Sequence, residues 1–196
     1  MTSTQQKLNL RFGILCAMIV LAAFSRVIPH MLNFSPLGAI ALFGAAYFQK
    51  KWQAFLIPIA ATWLSDVFIN NVVYAKYYPS FTWADDGFYW IYGTYLLIVL
   101  AGIFILRKIT ISRIVLASLS STAIFFIVTN FICWPGSKIY SQDFNGLMNC
   151  FAAGIPFLKG TFLGDLSYSA ILFGLLAIMQ RSIHGLSPAS ARPSSS

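Results

Sequence analysis

The stretch RVIPHMLNFSPLGAIALFGAAYF, residues 26–48, decides the fold of this chain. It begins with an arginine at the end of an apolar segment and breaks at Pro29. It restarts at Pro36, which suits the first turn of a helix because its missing N–H costs nothing there. The helix that follows is built almost wholly of small residues, which allow close approach between membrane helices. We therefore expect another helix backbone to lie close to this segment.

The composition of the 196 residues is that of a polytopic membrane protein. Apolar residues make up 58% of the chain and charged residues 9%, whereas about a quarter of the residues in a soluble domain are charged. The net charge of +8 would suit nucleic acid in a soluble chain. Here the basic residues flank apolar segments, so we attribute the charge to membrane topology and expect a lipid bilayer, not nucleic acid, as partner.

The cysteines give no sign of a metal site. Cys16, Cys133 and Cys150 lack metal-ligand spacing, so the sequence predicts neither a metal nor another cofactor. Cys133 and Cys150 fall on the same predicted side of the membrane and could pair, although free thiols are favoured.

Hydropathy predicts six spans: 12–29, 36–48, 53–70, 88–106, 112–134 and 160–180. Most hold enough residues to cross a bilayer core of about 30 Å, whereas the second is short and needs apolar flanks or a buried, non-helical lead-in. We predict an all-α bundle of about six transmembrane helices forming one domain over residues 1–186, with a disordered tail at 187–196. Residues 146–158 are too short to span, which predicts an interfacial or re-entrant helix.

Basic residues set the predicted orientation. Nine of them lie in the N-terminus, the turns at 49–52 and 107–113 and the C-terminal tail, against three in the loops on the other side. Because cytoplasmic loops carry the excess of lysine and arginine, both termini are predicted to lie on the cytoplasmic side of a bacterial inner membrane. The aromatic residues of outer loop 71–87 indicate either an interfacial belt or a lid over a ligand.

Three charged residues lie inside the predicted spans. A cation such as Arg26 costs about 2.5–3.5 kcal/mol in an apolar segment, so it should face a partner or a water-filled cavity. Counted along the spans at about 1.5 Å per residue, Arg26, Asp66 and Asp165 all fall in the outer third of the membrane. One arginine against two aspartates leaves a negative charge or a shared proton unless a ligand or another donor intervenes.

Polar residues form stripes on three predicted helices and should point into the bundle, because lipid offers no hydrogen-bond partners. The stripes are Thr62, Asp66 and Asn70; Ser118, Thr122 and Thr129; and Thr161, Asp165 and Ser169.

On residues 26–48 the chain resembles a family of small, uncharacterised bacterial inner-membrane proteins catalogued as candidate transport proteins. The resemblance continues through LSD (64–66), IFFIVTNFICW (124–134) and GIPFLKGTFLGD (154–165), so it covers nearly everything except the tail. In size, span number and polar outer layer the chain is similar to the substrate-binding (S) components of energy-coupling-factor vitamin transporters. That likeness implies capture of a vitamin near the outer surface and a separate ATPase or transmembrane coupling module.

Three functions fit these features, and the sequence leaves them open. The favoured one is a membrane transport protein, or the substrate-binding subunit of a transporter, that takes up a small solute from the outer face. The second is a structural or assembly subunit in which a buried Arg–Asp pair pins helices together without a ligand. The third and least favoured is an intramembrane enzyme that uses the aspartate pair, because GTFLGD (160–165) has Phe162 where intramembrane aspartyl proteases have glycine.

We therefore predict a protein that is not an enzyme. The chain contains no Walker A pattern, so any coupling to ATP would come from a partner. The predicted substrate-binding residues are Arg26, His30, Asn33, Asp66, Asn130, Trp134 and Asp165.

Overall fold

The computed structural model describes residues 3–183, and this part of the chain is helical without any β-strand, which confirms the all-α class. Five of its helices are long and apolar enough to cross a membrane, whereas α2 has only 11 residues. The predicted disordered tail lies outside the described residues. The helices are α1 Ser3–Phe24, α2 Leu37–Tyr47, α3 Lys51–Phe68, α4 Phe88–Ile105, α5 Ile111–Cys133 and α6 Phe144–Ser182.

Helix α2 is the centre of the bundle, since it contacts all five other helices and eight of its residues are buried. Its small residues make this possible. A Cβ atom on Gly44 would lie 2.5 Å from Cγ of Pro58 in α3, and one on Gly102 of α4 would lie 2.9 Å from Cβ of Ala45. The close helix approach predicted from the small residues is therefore confirmed.

A non-helical lead-in, residues 25–36, connects α1 to α2. It starts with a single 3₁₀ turn and bends at Asn33, whose φ of 59° is left-handed and is tolerated by asparagine better than by most residues. The lead-in packs against α6 at Gly164, where a Cβ atom would lie 2.7 Å from the backbone nitrogen of Ser35. The short α2 therefore enters the bundle through irregular backbone held by α6.

Helix α6 differs from the prediction. The sequence suggested an interfacial helix at 146–158 followed by a separate span, but the structure has one continuous helix of 39 residues. Pro156 removes one backbone hydrogen bond inside it without ending it. Asp143 caps its start, accepting a hydrogen bond from the backbone N–H of Gly146 at 2.7 Å. At about 1.5 Å per residue the helix is about 58 Å long, so a bilayer core of about 30 Å accommodates only half of it.

The polar stripes point into the bundle, as predicted. Thr62, Thr122 and Ser169 are at most 5% exposed. The hydroxyl of Ser118 donates to that of Ser169 at 3.0 Å, which links α5 to α6. Ser118, Ser169 and Thr122 therefore find partners on a neighbouring helix, where lipid would have offered none. The hydroxyls of Thr129 and Thr161 instead donate to backbone carbonyls of their own helices.

The three cysteines are free thiols. Cys133 is exposed at the end of α5, whereas Cys150 is buried in α6, with its Sγ 3.4 Å from the carbonyl oxygen of Asn130. The pairing of Cys133 with Cys150 that the sequence left open is therefore absent, and α5 and α6 are held together without a covalent link.

Candidate functional site

A cavity of about 280 Å³ lies where the lead-in meets α4, α5 and α6. Three of its lining residues, His30, Asn33 and Tyr74, are exposed, so its mouth is at the end of the bundle that carries the lead-in and the loop after α3. Its walls are apolar at Leu37 and Ile98. The polar lining includes Arg26, His30, Asn33, Ser35, Thr161 and Asp165.

Arg26 forms an ion pair with Asp66 of α3 and also donates a hydrogen bond to the hydroxyl of Ser65 at 2.9 Å. The second carboxylate oxygen of Asp66 accepts a hydrogen bond from the hydroxyl of Tyr92 in α4 at 2.6 Å. The sequence left open which aspartate would meet the arginine, and the structure pairs it with Asp66. The pair and its partners join the end of α1 to α3 and α4.

Asp165 is 2% exposed, and its Oδ2 accepts a hydrogen bond from the hydroxyl of Thr122 in α5 at 2.8 Å. Its Oδ1 lies against the backbone of Gly38 in α2 and beside the hydroxyl of Ser121. The Cβ atom of any other residue at position 38 would occupy the space of this oxygen. Within residues 3–183 the single ion pair is that of Arg26, so Asp165 has no cation partner there. A buried carboxylate in this position requires a proton, ordered water or a ligand, because uncompensated burial of charge is costly.

Ser35 and Ser121 add two hydroxyl groups to the cavity lining that are buried and have no hydrogen-bond partner among the described residues. Leaving such a group unpaired costs about 1–3 kcal/mol. Ser35 and Asp165 therefore mark the part of the lining where a polar ligand or water would bind.

No group of three or more metal-ligating side chains occurs in the described part of the chain. Most polar groups around the cavity are hydroxyls, and Asn33 adds an amide. Such groups suit hydrogen bonding to an organic solute, so the arrangement can bind a polar molecule.

The predicted site residues divide into three groups. Arg26, His30, Asn33 and Asp165 line the cavity, and Asp66 lies behind Arg26 as its ion-pair partner. The other two predicted residues lie elsewhere.

Asn130 lines an adjoining cavity of about 120 Å³ that shares Asn33 and Thr161 with the main one. Trp134 lies beyond the end of α5, where its indole N–H donates to the carbonyl of Ser141 at 2.8 Å. Helix α5 ends at Cys133, so Trp134 is the first residue of the α5–α6 loop. Trp134 therefore closes that loop and does not line the main cavity.

Several polar lining residues were not among the predicted site residues: Ser35, Tyr74, Thr161, Tyr95 and Ser121. The last two lie deepest in the bundle. Tyr95 lines the cavity and is 7% exposed. Ser121 lies beside Asp165 but falls one position before Thr122, outside the stripe at helical spacing. Both occur in runs of residues typical of membrane helices, so only the rotation of each helix about its axis reveals them.

Long apolar helices around buried charges define a helical protein of the multi-pass membrane class. The chain belongs to a family of unknown function, DUF6580, whose model matches residues 6–189 and thus includes every residue of the cavity. No curated protein and no solved structure matches the chain. Function therefore rests on the chemistry of the site.

Proposed function

We propose that the protein is a membrane transport protein, or the substrate-binding subunit of a transporter, that takes up a small polar solute from the outer face. The observation that carries this proposal is Asp165, a carboxylate 2% exposed on the cavity wall without a cation partner among residues 3–183. Arg26 is neutralised by Asp66, so Asp165 is the acidic group of the cavity that remains to bind a solute.

The cavity dimensions and charge indicate the class of solute. Its volume of about 280 Å³ is close to the lower end of the ~300–1,000 Å³ range of ligand pockets. A molecule with an amine or another hydrogen-bond donor would complement Asp165, while Ser35 and Asn33 offer further hydrogen bonds. A small vitamin with a basic group fits this description.

The proposed orientation follows from the distribution of basic residues. Both termini would be cytoplasmic in a bacterial inner membrane, and α2 would complete a sixth, short crossing. The cavity mouth, on the same end as residues 74–87, would then face outward, with Tyr74 of that loop at its edge. A separate ATPase or coupling module would supply the energy, since the chain has no Walker A pattern.

One observation favours a second candidate, a structural or assembly subunit. The ion pair of Arg26 with Asp66 is complete without a ligand, since Ser65 and Tyr92 also bind its groups. An intramembrane aspartyl enzyme is less favoured than either, because Asp66 and Asp165 are held by different partners.

Small molecules retained by the protein test the proposal. The full chain, its Asp165→Asn variant and its Asp86→Asn variant are purified from the native host, and bound molecules are identified by mass spectrometry. Asp165→Asn keeps the size of the side chain and an oxygen that accepts from Thr122, so it should fold. Asp86 is exposed and serves as the matched control for loss of one carboxylate.

We expect a solute that co-purifies with the wild type and with Asp86→Asn but falls at least about tenfold in Asp165→Asn, which corresponds to about 1.4 kcal/mol. Proteoliposomes carrying the protein together with its native membrane partners should accumulate that solute. Equal retention by wild type and Asp165→Asn, or a wild type that retains nothing, would contradict a solute site at Asp165.

A further inference from the structure

A second cavity, of about 320 Å³, lies at the opposite end of the bundle. It is formed by the first half of α1, the end of α2 and the turn before α3. Arg11 and Lys50 line it, and Tyr47 lies close enough to Arg11 to interact with its charge. Four side-chain amides complete the polar lining: Gln5, Asn9, Gln49 and Gln53.

No carboxylate balances these groups. The chain has no glutamate, and its aspartates lie at the first cavity or in the loops beyond it, at positions 66, 85, 86, 143 and 165. Nε of Arg11 is buried and has no hydrogen-bond partner within residues 3–183. A guanidinium next to amide donors is suited to a phosphate, whose oxygens accept several charge-assisted hydrogen bonds.

The remaining wall of the cavity is apolar. Leu8, Phe12 and Leu15 follow one another at helical spacing on one face of α1, with Leu8 before Arg11 along the helix and Phe12 and Leu15 after it. Leu8 and Phe12 are 44% and 41% exposed, whereas Leu15 is 2% exposed. The open part of this face therefore runs from Leu8 to Phe12, about 6 Å at about 1.5 Å per residue.

We propose that this second cavity binds the phosphate of an anionic phospholipid, with the start of an acyl chain along the Leu8–Phe12 face of α1. The phosphate binds between Arg11 and Lys50, and the side-chain amides hydrogen-bond to its oxygens or to the headgroup. A free phosphate uses the polar end alone, whereas a phospholipid also covers the apolar wall. This site does not depend on the proposed uptake of a solute.

Native mass spectrometry of the full-length protein in detergent, with added phosphatidylglycerol or phosphatidylcholine, tests the inference. Both lipids carry a phosphate and acyl chains, but only phosphatidylglycerol has a net negative charge. The test variant is Arg11→Gln with Lys50→Gln, and Lys50→Gln alone is the milder change because Lys50 is exposed. Arg107→Gln with Lys108→Gln is the matched control, removing two charges at the same end but outside the cavity.

We expect the wild type to bind phosphatidylglycerol about tenfold more tightly than phosphatidylcholine, a difference of about 1.4 kcal/mol. The Arg11 and Lys50 double variant should lose this preference, Lys50→Gln should lose part of it, and the Arg107 and Lys108 variant should keep it. Equal binding by wild type and the Arg11 and Lys50 variant, or an equal loss in the control, would overturn the proposal.

Inorganic phosphate distinguishes the two sources of the anion. Phosphate alone should compete weakly with phosphatidylglycerol, because it leaves the apolar wall uncovered. If inorganic phosphate displaced the lipid at equal concentration, the site would be one for a free anion and the lipid proposal would be wrong.

Discussion

Removing one partner of the Arg26–Asp66 pair should cost more stability than its hydrogen bonds alone would suggest. In Asp66→Asn the guanidinium keeps its hydrogen bond to Ser65 but loses its counter-charge. Loss of one partner of a buried pair costs about 3–5 kcal/mol, and because each side chain here is 21% exposed we expect the lower limit, about 3 kcal/mol.

The converse change, Arg26→Gln, leaves the Asp66 carboxylate with the hydroxyl of Tyr92 as donor. Because a hydrogen bond to a charged group contributes about 1.5–3 kcal/mol, it should limit the loss in this variant to about 2 kcal/mol. The double variant has neither charge and should lose only about 2 kcal/mol. The sum of the two single losses then exceeds the loss in the double variant by about 3 kcal/mol. This coupling energy is at the upper end of the range of about 0.5–3 kcal/mol found for residues in contact.

Unfolding in mixed micelles, followed by helical circular dichroism as the denaturing detergent is increased, gives the four free energies of the cycle. Tyr92→Phe is the control that removes one hydrogen bond and no charge, and it should cost about 1.5 kcal/mol because the acceptor is a carboxylate. Single losses that add to the double loss within about 0.5 kcal/mol would refute the coupling, and with it the view that this pair pins α1 to α3.

Two further predictions concern packing and pH. Gly44→Ala should lower the free energy of unfolding by about 1–3 kcal/mol in the same assay, because the added methyl group meets the ring of Pro58. Gly13→Ala places its methyl group in open space and should raise the free energy of unfolding by up to about 1 kcal/mol. Equal effects of the two substitutions would contradict the packing argument. The hydrogen bond that Tyr78 donates to Asp85 at 2.5 Å raises the pKa of Tyr78 to about 12. The stabilisation by this hydrogen bond should therefore be complete below the usual tyrosine pKa of about 10 and should be lost as the pH rises through about 12. An unfolding titration at alkaline pH should show this decline in the wild type and not in Tyr78→Phe.

The helices and the position of α2 could be predicted from the sequence because their signals are local. Pro36 and the small residues after it predict both a helix start and a close approach, and the bundle is built on that contact. The start of α6 was not predicted, because residues 146–158 are too short to span a membrane by themselves and suggested a separate helix. The structure instead continues the helix through Pro156 at the cost of one backbone hydrogen bond.

The position of each charge along its helix could be estimated from the sequence, but the pairing of charges could not. Residue count gives the height of Arg26, Asp66 and Asp165 along their helices at about 1.5 Å per residue. Which aspartate faces the arginine depends on how each helix is rotated about its axis, and packing around α2 sets that rotation. For the same reason Tyr95 was missed, although it lines the cavity together with Arg26 and Asp165.

The three charges that the sequence placed in one layer differ in their need for a ligand. The groups of Arg26 and Asp66 satisfy one another, with Ser65 and Tyr92, so their geometry is explained by stability alone. Asp165 is explained less well in this way, because a core optimised only for stability would not bury a carboxylate without a cation. Gly38 leaves room for that carboxylate on the surface of α2, because the Cβ atom of any other residue would collide with Asp165 and Ser121. The absence of a side chain at position 38 is therefore what allows Asp165 to lie on the cavity wall, as the proposed binding role requires.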